Sequence, residues 1–295
     1  MLVRDVLCHT SGLTYGFMNT NVVDAMYREK GLREPPTQGD LEAWTTTLTS
    51  IPLICQPGSQ WNYSVSTDVV GRLVEIWSGK TLDAFFEENI FQPLGMIHTG
   101  FQVNEENRER FAALYAPLIG GGLGQSNPPP VEERGGLKLQ ESVLESAYFN
   151  SPGMFSGGGG LVSSMDDYNR FCQMLKNGGE LDGVRLLAPS TVRHMRSNHL
   201  PGNRDMAAMG QPVWSETSYE GIGFGLGFAV VLDPVKASII ASKGECHWGG
   251  AASTFFWIDF EEDIHAIFMT QLMPSSTYPI RRELRALVSQ AITGA

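Results

Sequence analysis

The chain has 295 residues, 42% of them hydrophobic and 18% charged, a globular composition that suits one large domain or two closely packed ones. Its formal net charge of −11 disfavours nucleic acid and anionic membranes as partners, because both repel an acidic surface. No apolar run reaches the roughly eighteen residues of a transmembrane helix, so the sequence predicts no membrane span.

The first part of the chain shows helical periodicity and helix-ending residues. Helices are predicted over residues 2–9, 41–48, 66–79 and 82–90. Asp40 suits an N-cap, and Gly12 and Gly79 suit the left-handed ends of helices. Pro35 and Pro36 interrupt a polar segment that is predicted to lack regular structure.

Two glycine-rich segments follow. Residues 117–136 are rich in glycine and proline and predict a loop. Residues 157–160 are four glycines that lead into a predicted helix over 164–175. A phosphate cradle would need a preceding strand and a following Gly-Lys-Ser/Thr, which are absent, so close backbone packing or a site wall is favoured.

Beyond residue 216 the pattern becomes extended. Strands are predicted over residues 223–232, 237–243, 253–260 and 263–272, the last two forming a hairpin. Residues 279–292 form an amphipathic helix with Ile280, Leu284, Leu287, Val288 and Ile292 on one side. This order predicts an α+β fold: a mainly helical region, 1–215, and an antiparallel sheet with a C-terminal covering helix, 216–295, integrated as one catalytic domain.

The histidines do not have the spacing of metal ligands. His194 and His199 are five residues apart and so miss the common face that a helical metal site uses. We therefore expect no metal and no cofactor.

Three sets of residues together resemble one superfamily. They are Val3–Leu13 with its His-Thr-Ser-Gly-Leu, Trp61–Val65 followed by Phe91–Met96, and His247–Ala251. The set resembles the serine β-lactamases, penicillin-binding proteins and family VIII carboxylesterases over nearly the whole chain. The resemblance implies a β-lactamase/transpeptidase-like fold.

In that superfamily a Ser-x-x-Lys pair supplies the nucleophile and its base, and a tyrosine shares the proton transfer. Tyr63 matches the tyrosine, while Val65 replaces the usual asparagine. The resemblance thus implies that Tyr63 is catalytic, although a buried aromatic with a satisfied hydroxyl would look the same in sequence.

The segment near the end of the chain matches the strand that completes an oxyanion hole. Two alignments remain open: the donor is the amide of Ala251, which we prefer, or that of Gly250. The substrate-binding residues implied are His247, Trp248, Gly249, Gly250 and Phe155. Tyr63 and residues 248–251 are expected to face one shared cleft.

The chain departs from the superfamily at the nucleophile, because none of its six lysines follows a serine by three residues. A Gly-x-Ser-x-Gly elbow is also absent. In the superfamily the Ser-x-x-Lys helix precedes the His-Thr-Ser-Gly-Leu marker, so we expect its N-terminal elements to be missing here. Ser11 and Ser64 are considered as substitutes and rejected, since one belongs to the marker loop and the other lacks a base.

The expected function is a serine hydrolase that cleaves small carboxylic esters through an acyl-enzyme. Trp248 stands where a lysine would hold the carboxylate of a β-lactam, which favours neutral esters. A β-lactamase, an acyl transferase or an inert truncated binding protein remain alternatives. A homo-oligomer, or the N-terminal segment in trans, is a further expected partner. Without a signal peptide in the given sequence, we place the protein in the cytoplasm.

Overall fold

The computed structural model describes residues 1–32, 39–120, 130–210 and 219–292. Its helices are α1 (Val3–Leu7), α2 (Val22–Glu29), α3 (Leu41–Thr49), α4 (Ser66–Ser78), α5 (Leu82–Phe86), α6 (Gln92–Leu94), α7 (Met165–Lys176), α8 (Pro189–Met195), α9 (Pro234–Ala237) and α10 (Ile280–Ala291). The prolines at 35 and 36, the centre of the 117–136 segment and the boundary at 215/216 lie outside the described residues.

Helices α3, α4 and α7 confirm the sequence prediction, because local signals define their ends. The Asp40 carboxylate accepts a hydrogen bond from the Ala43 amide at 2.8 Å and so caps α3. Gly79 ends α4 in the left-handed conformation, with φ of 70°. Ser164 caps α7 through the Asp167 amide.

The N-terminal segment differs from its prediction in two ways. Helix α1 ends at Leu7, and His9, not Gly12, is the first residue with a left-handed φ, of 57°. The segment expected to be irregular contains α2, whose N-cap Asn21 accepts hydrogen bonds from the amides of Val23 and Asp24. The Asn21 cap signal was present in the sequence.

Within the described residues, an antiparallel sheet contains β5 (Ile222–Phe224), β6 (Ala229–Val231), β7 (Cys246–Gly249), β8 (Phe255–Asp259) and β9 (Ile264–Phe268), in that order; shorter strands β1–β4 precede it. The hairpin predicted at residues 261–263 joins β8 to β9. The predicted strand 223–232 is a hairpin of β5 and β6. The predicted strand 237–243 is wrong: Asp233 caps α9 there through the Lys236 amide, and a turn follows.

An antiparallel ribbon, missed by the sequence prediction, is formed by β1 (Leu114–Pro117) and β2 (Leu137–Glu141); β3 (Glu180–Leu181) pairs similarly with β4 (Val184–Arg185). The Tyr115 amide donates to the Gln271 carbonyl, which ties the ribbon to the chain after β9. The Leu272 amide in turn donates to the Ala252 carbonyl. The ribbon therefore borders the turn that follows β7.

Helices cover both faces of the sheet, which confirms the α+β layout. The α7 side chains Cys172, Met174 and Leu175 pack with Ile258 of β8 on one face. On the other face, Arg285 of α10 is buried and lies over the Trp257 ring at 4.9 Å. The predicted apolar side of α10 is not what packs against the sheet: Leu287 is 64% exposed, whereas Arg285 is 5% exposed. An ion pair explains this arrangement.

Candidate active site

Tyr63 lies on a short loop that precedes α4 and is fixed by its neighbours. The Trp61 amide donates to the Met209 carbonyl at 3.0 Å, and the Asn62 amide donates to the His9 carbonyl at 2.8 Å. The Tyr63 ring packs against both the helical core and the core on the sheet, and its centroid is 5.5 Å from that of Trp248. Tyr63 therefore lies where the helical and sheet regions meet.

The end of β7 extends beyond its partner β6. The described register pairs Ala229 with His247 and Val230 with Cys246, and it stops there. The next residues of β7 therefore have a free edge on that side. Open backbone at a strand end is a common position for polar recognition of a ligand.

Two amides in this segment differ in availability. The Gly250 N–H donates to the Thr254 carbonyl at 2.9 Å and closes the hairpin between β7 and β8. The Ala251 N–H has no acceptor within the described part of the chain, and Ala251 is exposed. Of the two amides considered from the sequence, the one of Ala251 is thus the one left to bind an external oxygen.

The structure brings Tyr63 and residues 248–251 to one cavity of about 90 Å³, as expected. His247, Tyr219 and Arg285 also line it. The glycines have a packing reason that the sequence did not reveal. A side chain at Gly249 would overlap the Arg281 guanidinium, and one at Gly250 would overlap the Thr254 hydroxyl.

Phe155 lies elsewhere. Its ring packs against Phe101, 5.1 Å away between centroids, in the helical core and does not line this cavity. The glycines that follow pack closely on α4: a Cβ at Gly157 would come within 2.5 Å of the Thr67 carbonyl oxygen. The buried Asp68 fixes this loop by accepting a hydrogen bond from Ser156 at 2.5 Å. The glycine run thus serves close packing, one of the two uses predicted for it.

A buried chain of hydrogen bonds lies behind Tyr63. The hydroxyls of Ser11 and Ser66 are 2.8 Å apart, those of Ser66 and Ser64 are 2.8 Å apart, and Ser64 Oγ is 3.3 Å from His9 Nδ1. Ser11 and Ser64 are fully buried. Both hydroxyls are therefore engaged within the protein, which agrees with rejecting them as nucleophiles.

His9 makes stability depend on pH. Burial lowers the pKa of His9 to about 3, below its ordinary value, so the native state binds fewer protons than the unfolded state in this interval. The stability due to neutral His9 is complete above the unfolded pKa and is lost as the pH falls towards 3, by up to about 1.4 kcal/mol per pH unit. Urea unfolding of wild type and His9→Asn should measure this loss.

Asparagine tolerates the positive φ of position 9 and does not titrate. The stability advantage of wild type over His9→Asn should shrink as the pH is lowered from about 7 to about 4. The exposed His194, replaced by asparagine, supplies the baseline for removing a histidine. A wild-type advantage that stays constant over this range would contradict a buried neutral His9.

A buried ion pair lies on the α10 side of the cavity. Both oxygens of Glu245 accept hydrogen bonds from Arg285, at 2.7 and 2.6 Å, and Glu245 Oε1 is 3.2 Å from His247 Nδ1. Burial lowers the pKa of His247, so this histidine does not add the positive charge considered from the sequence. Sequence reasoning missed Glu245 and Arg285, although a lone acid before a strand and an arginine inside an amphipathic helix were visible.

Other classes of site find no support in the described residues. They contain no group of three or more His, Cys, Asp or Glu side chains placed to hold a metal ion. None of their helices is long and apolar enough to cross a membrane. The cavity between Tyr63 and the end of β7 is therefore the candidate active site.

Comparison with known proteins gives the family. The Beta-lactamase family model matches residues 1–290. The chain is 33% identical to protein Rv1367c of Mycobacterium tuberculosis, covering 93% of this chain and 63% of that protein. It is 31% identical to esterase EstB of Burkholderia gladioli, covering 91% of this chain and 64% of EstB.

Among solved structures, EstCE1, a hydrolase with promiscuous acyltransferase activity, superimposes with a TM-score of 0.75 at 25% identity. The match covers 97% of this chain and 71% of EstCE1. The chain thus spans less than two thirds of the length of the two curated relatives. The β-lactamase/transpeptidase-like fold expected from the motifs is confirmed, and the chain belongs to the Beta-lactamase family, whose serine hydrolases include esterases and acyltransferases.

Proposed function

We propose that this chain supplies the tyrosine and the oxyanion strand of an enzyme that cleaves carboxylic esters through an acyl-serine intermediate. The observation that carries the proposal is the shared cavity of Tyr63 and the free Ala251 amide. A tyrosine that moves a proton and an amide that binds the developing oxyanion are two of the parts that acyl transfer requires.

The proposed reaction needs a Ser-x-x-Lys element that these 295 residues do not contain. In the complete site the lysine takes the proton of the serine hydroxyl, and the serine oxygen attacks the ester carbonyl. Tyr63 then hands a proton to the departing alcohol, and the Ala251 amide holds the carbonyl oxygen while it is negative. Water releases the acid and restores the serine.

Esters are favoured over β-lactams by the cavity wall. Trp248 presents an aromatic surface where a lysine would bind a carboxylate, and Ile222 and Ile239 add apolar surface. The names of the relatives EstB and EstCE1, an esterase and a hydrolase, support the same substrate class. Because EstCE1 also transfers acyl groups, transfer to an alcohol is the second candidate, to be tested by adding an alcohol to the assay.

The 295-residue chain alone is expected to hydrolyse short-chain p-nitrophenyl esters no faster than background. Without a nucleophile and its base, most of the rate enhancement of such an enzyme is lost. Release of p-nitrophenol measures hydrolysis, and intact mass after treatment with a fluorophosphonate measures acylation. Ser11→Ala and Ser64→Ala are the control variants. Rapid hydrolysis that either substitution abolishes would show a rearranged site and contradict the proposal.

A further inference from the structure

The two ring nitrogens of His247 have different surroundings. Nδ1 is 3.2 Å from Glu245 Oε1. Nε2 has no hydrogen-bond partner in the described part of the chain, and it is not sealed from solvent as an unpaired buried nitrogen would be. His247 lines the cavity, with its side chain 12% exposed. Nε2 is therefore the nitrogen that a ligand can reach.

The partner of Nδ1 can only accept. Glu245 is 1% exposed, and both of its oxygens bind the Arg285 guanidinium. Burial alone would raise the pKa of Glu245, but the hydrogen bonds from Arg285 and His247 hold this pKa below its usual value. An ionised carboxylate has no proton to donate. Nδ1 must therefore carry the proton that Glu245 accepts.

The imidazole has only this one proton to place. The pKa of His247 is lowered, with burial as the largest cause, so the ring is neutral at ordinary pH. In a neutral ring one nitrogen donates and the other accepts. With Nδ1 as the donor, Nε2 carries a lone pair.

We propose that the Glu245–Arg285 pair fixes the tautomer of His247, so that Nε2 is a hydrogen-bond acceptor in the cavity and selects esters that carry a hydroxyl or amide N–H. This substrate class rests on the ester-cleaving function proposed above. His247 is then a specificity-determining residue, and Glu245 is a positioning residue that acts through it.

The surroundings make this acceptor selective. Ile222, Ile239 and Trp248 line the same cavity, so a donor held there exchanges its water for Nε2 in a mainly apolar setting. A site built to pair with a hydroxyl discriminates strongly against an analogue without it, because its own polar group would be left unpaired. A ligand carboxylate offers no proton and gains nothing from Nε2.

The tautomer can be measured on the 295-residue chain itself. With ¹⁵N-labelled histidine, side-chain correlation spectra at neutral pH should show a protonated Nδ1 and an unprotonated Nε2 for His247. The resonances are assigned by their loss in His247→Gln. A protonated Nε2, or a doubly protonated ring, would overturn the inference.

The double variant Glu245→Leu with Arg285→Met tests whether the pair fixes the tautomer. Removing both partners together leaves no buried unpaired charge, so the fold should be retained. Nε2 of His247 should then become protonated in a measurable share of molecules. A spectrum identical to that of wild type would show that the pair does not fix the tautomer.

Ligand selection is tested with methyl butyrate and its forms hydroxylated at the second, third or fourth carbon. At least one hydroxylated ester should bind about tenfold more tightly than methyl butyrate and shift the Nε2 resonance. Equal binding of all four esters, or no binding, would overturn the selectivity. If the hydroxylated ester binds as expected but an enzyme completed with Ser-x-x-Lys cleaves no ester, the proposed function fails and the recognition by His247 stands.

Discussion

An enzyme completed with Ser-x-x-Lys should lose at least about a hundredfold in kcat when Tyr63 is replaced by phenylalanine. The completed enzyme is this chain joined to an N-terminal segment that carries the motif. Phenylalanine keeps the ring that packs against Trp248 and the two cores, and it removes only the hydroxyl. The loss should appear in kcat for p-nitrophenyl esters, because proton transfer contributes in the transition state.

The control is Tyr168→Phe, which removes a hydroxyl from α7, where the ring packs on Phe256 away from the cavity. Circular dichroism during thermal unfolding shows whether each variant keeps its fold. If Tyr63→Phe cleaves esters as fast as the unsubstituted enzyme, then Tyr63 is a packing residue only. In that case the proposed proton transfer belongs to another group.

The elements that could be predicted from sequence are those with local causes. Asp40 and Gly79 set helix ends through their own hydrogen bonds and backbone preference, whatever the rest of the chain does. The hairpin between β8 and β9 likewise follows from alternating apolar residues on both sides of an acidic turn. In each case the decisive atoms lie within a few residues of each other.

The elements that were missed depend on distant partners. Strands β1 and β2 pair across a long glycine- and proline-rich segment, and the ribbon is held by Gln271 beyond β9. Residues 237–243 have the composition of a strand, but the local cap at Asp233 favours α9 instead. A single sequence contains no signal for the first case and two competing signals for the second.

The candidate site divides in the same way. Motif matching found Tyr63 and residues 248–251, and the structure places them around one cavity. It did not separate the amides of Gly250 and Ala251, because the difference is a hydrogen bond to Thr254. It also could not locate Phe155 in the core, since facing a cavity is a property of packing and not of residue type.

Replacing Arg285 by methionine is expected to destabilise the protein by about 3–5 kcal/mol, since it leaves the Glu245 carboxylate buried without a cation. The pair is almost inaccessible, with side-chain exposures of 6% and 1%, so water cannot replace the guanidinium. Urea unfolding measures the loss, which should shrink at acidic pH because a protonated Glu245 no longer needs a positive partner.

Two comparisons separate this buried charge from a general effect of losing an arginine. Arg185→Met breaks an ion pair with Glu180 whose side chains are 47% and 39% exposed, and it should cost no more than about 1 kcal/mol. Adding Glu245→Leu to Arg285→Met removes the stranded carboxylate and should restore most of the stability. If Arg285→Met costs no more than Arg185→Met, the pair does not hold α10 on the sheet, and the charged state assigned to Glu245 is wrong.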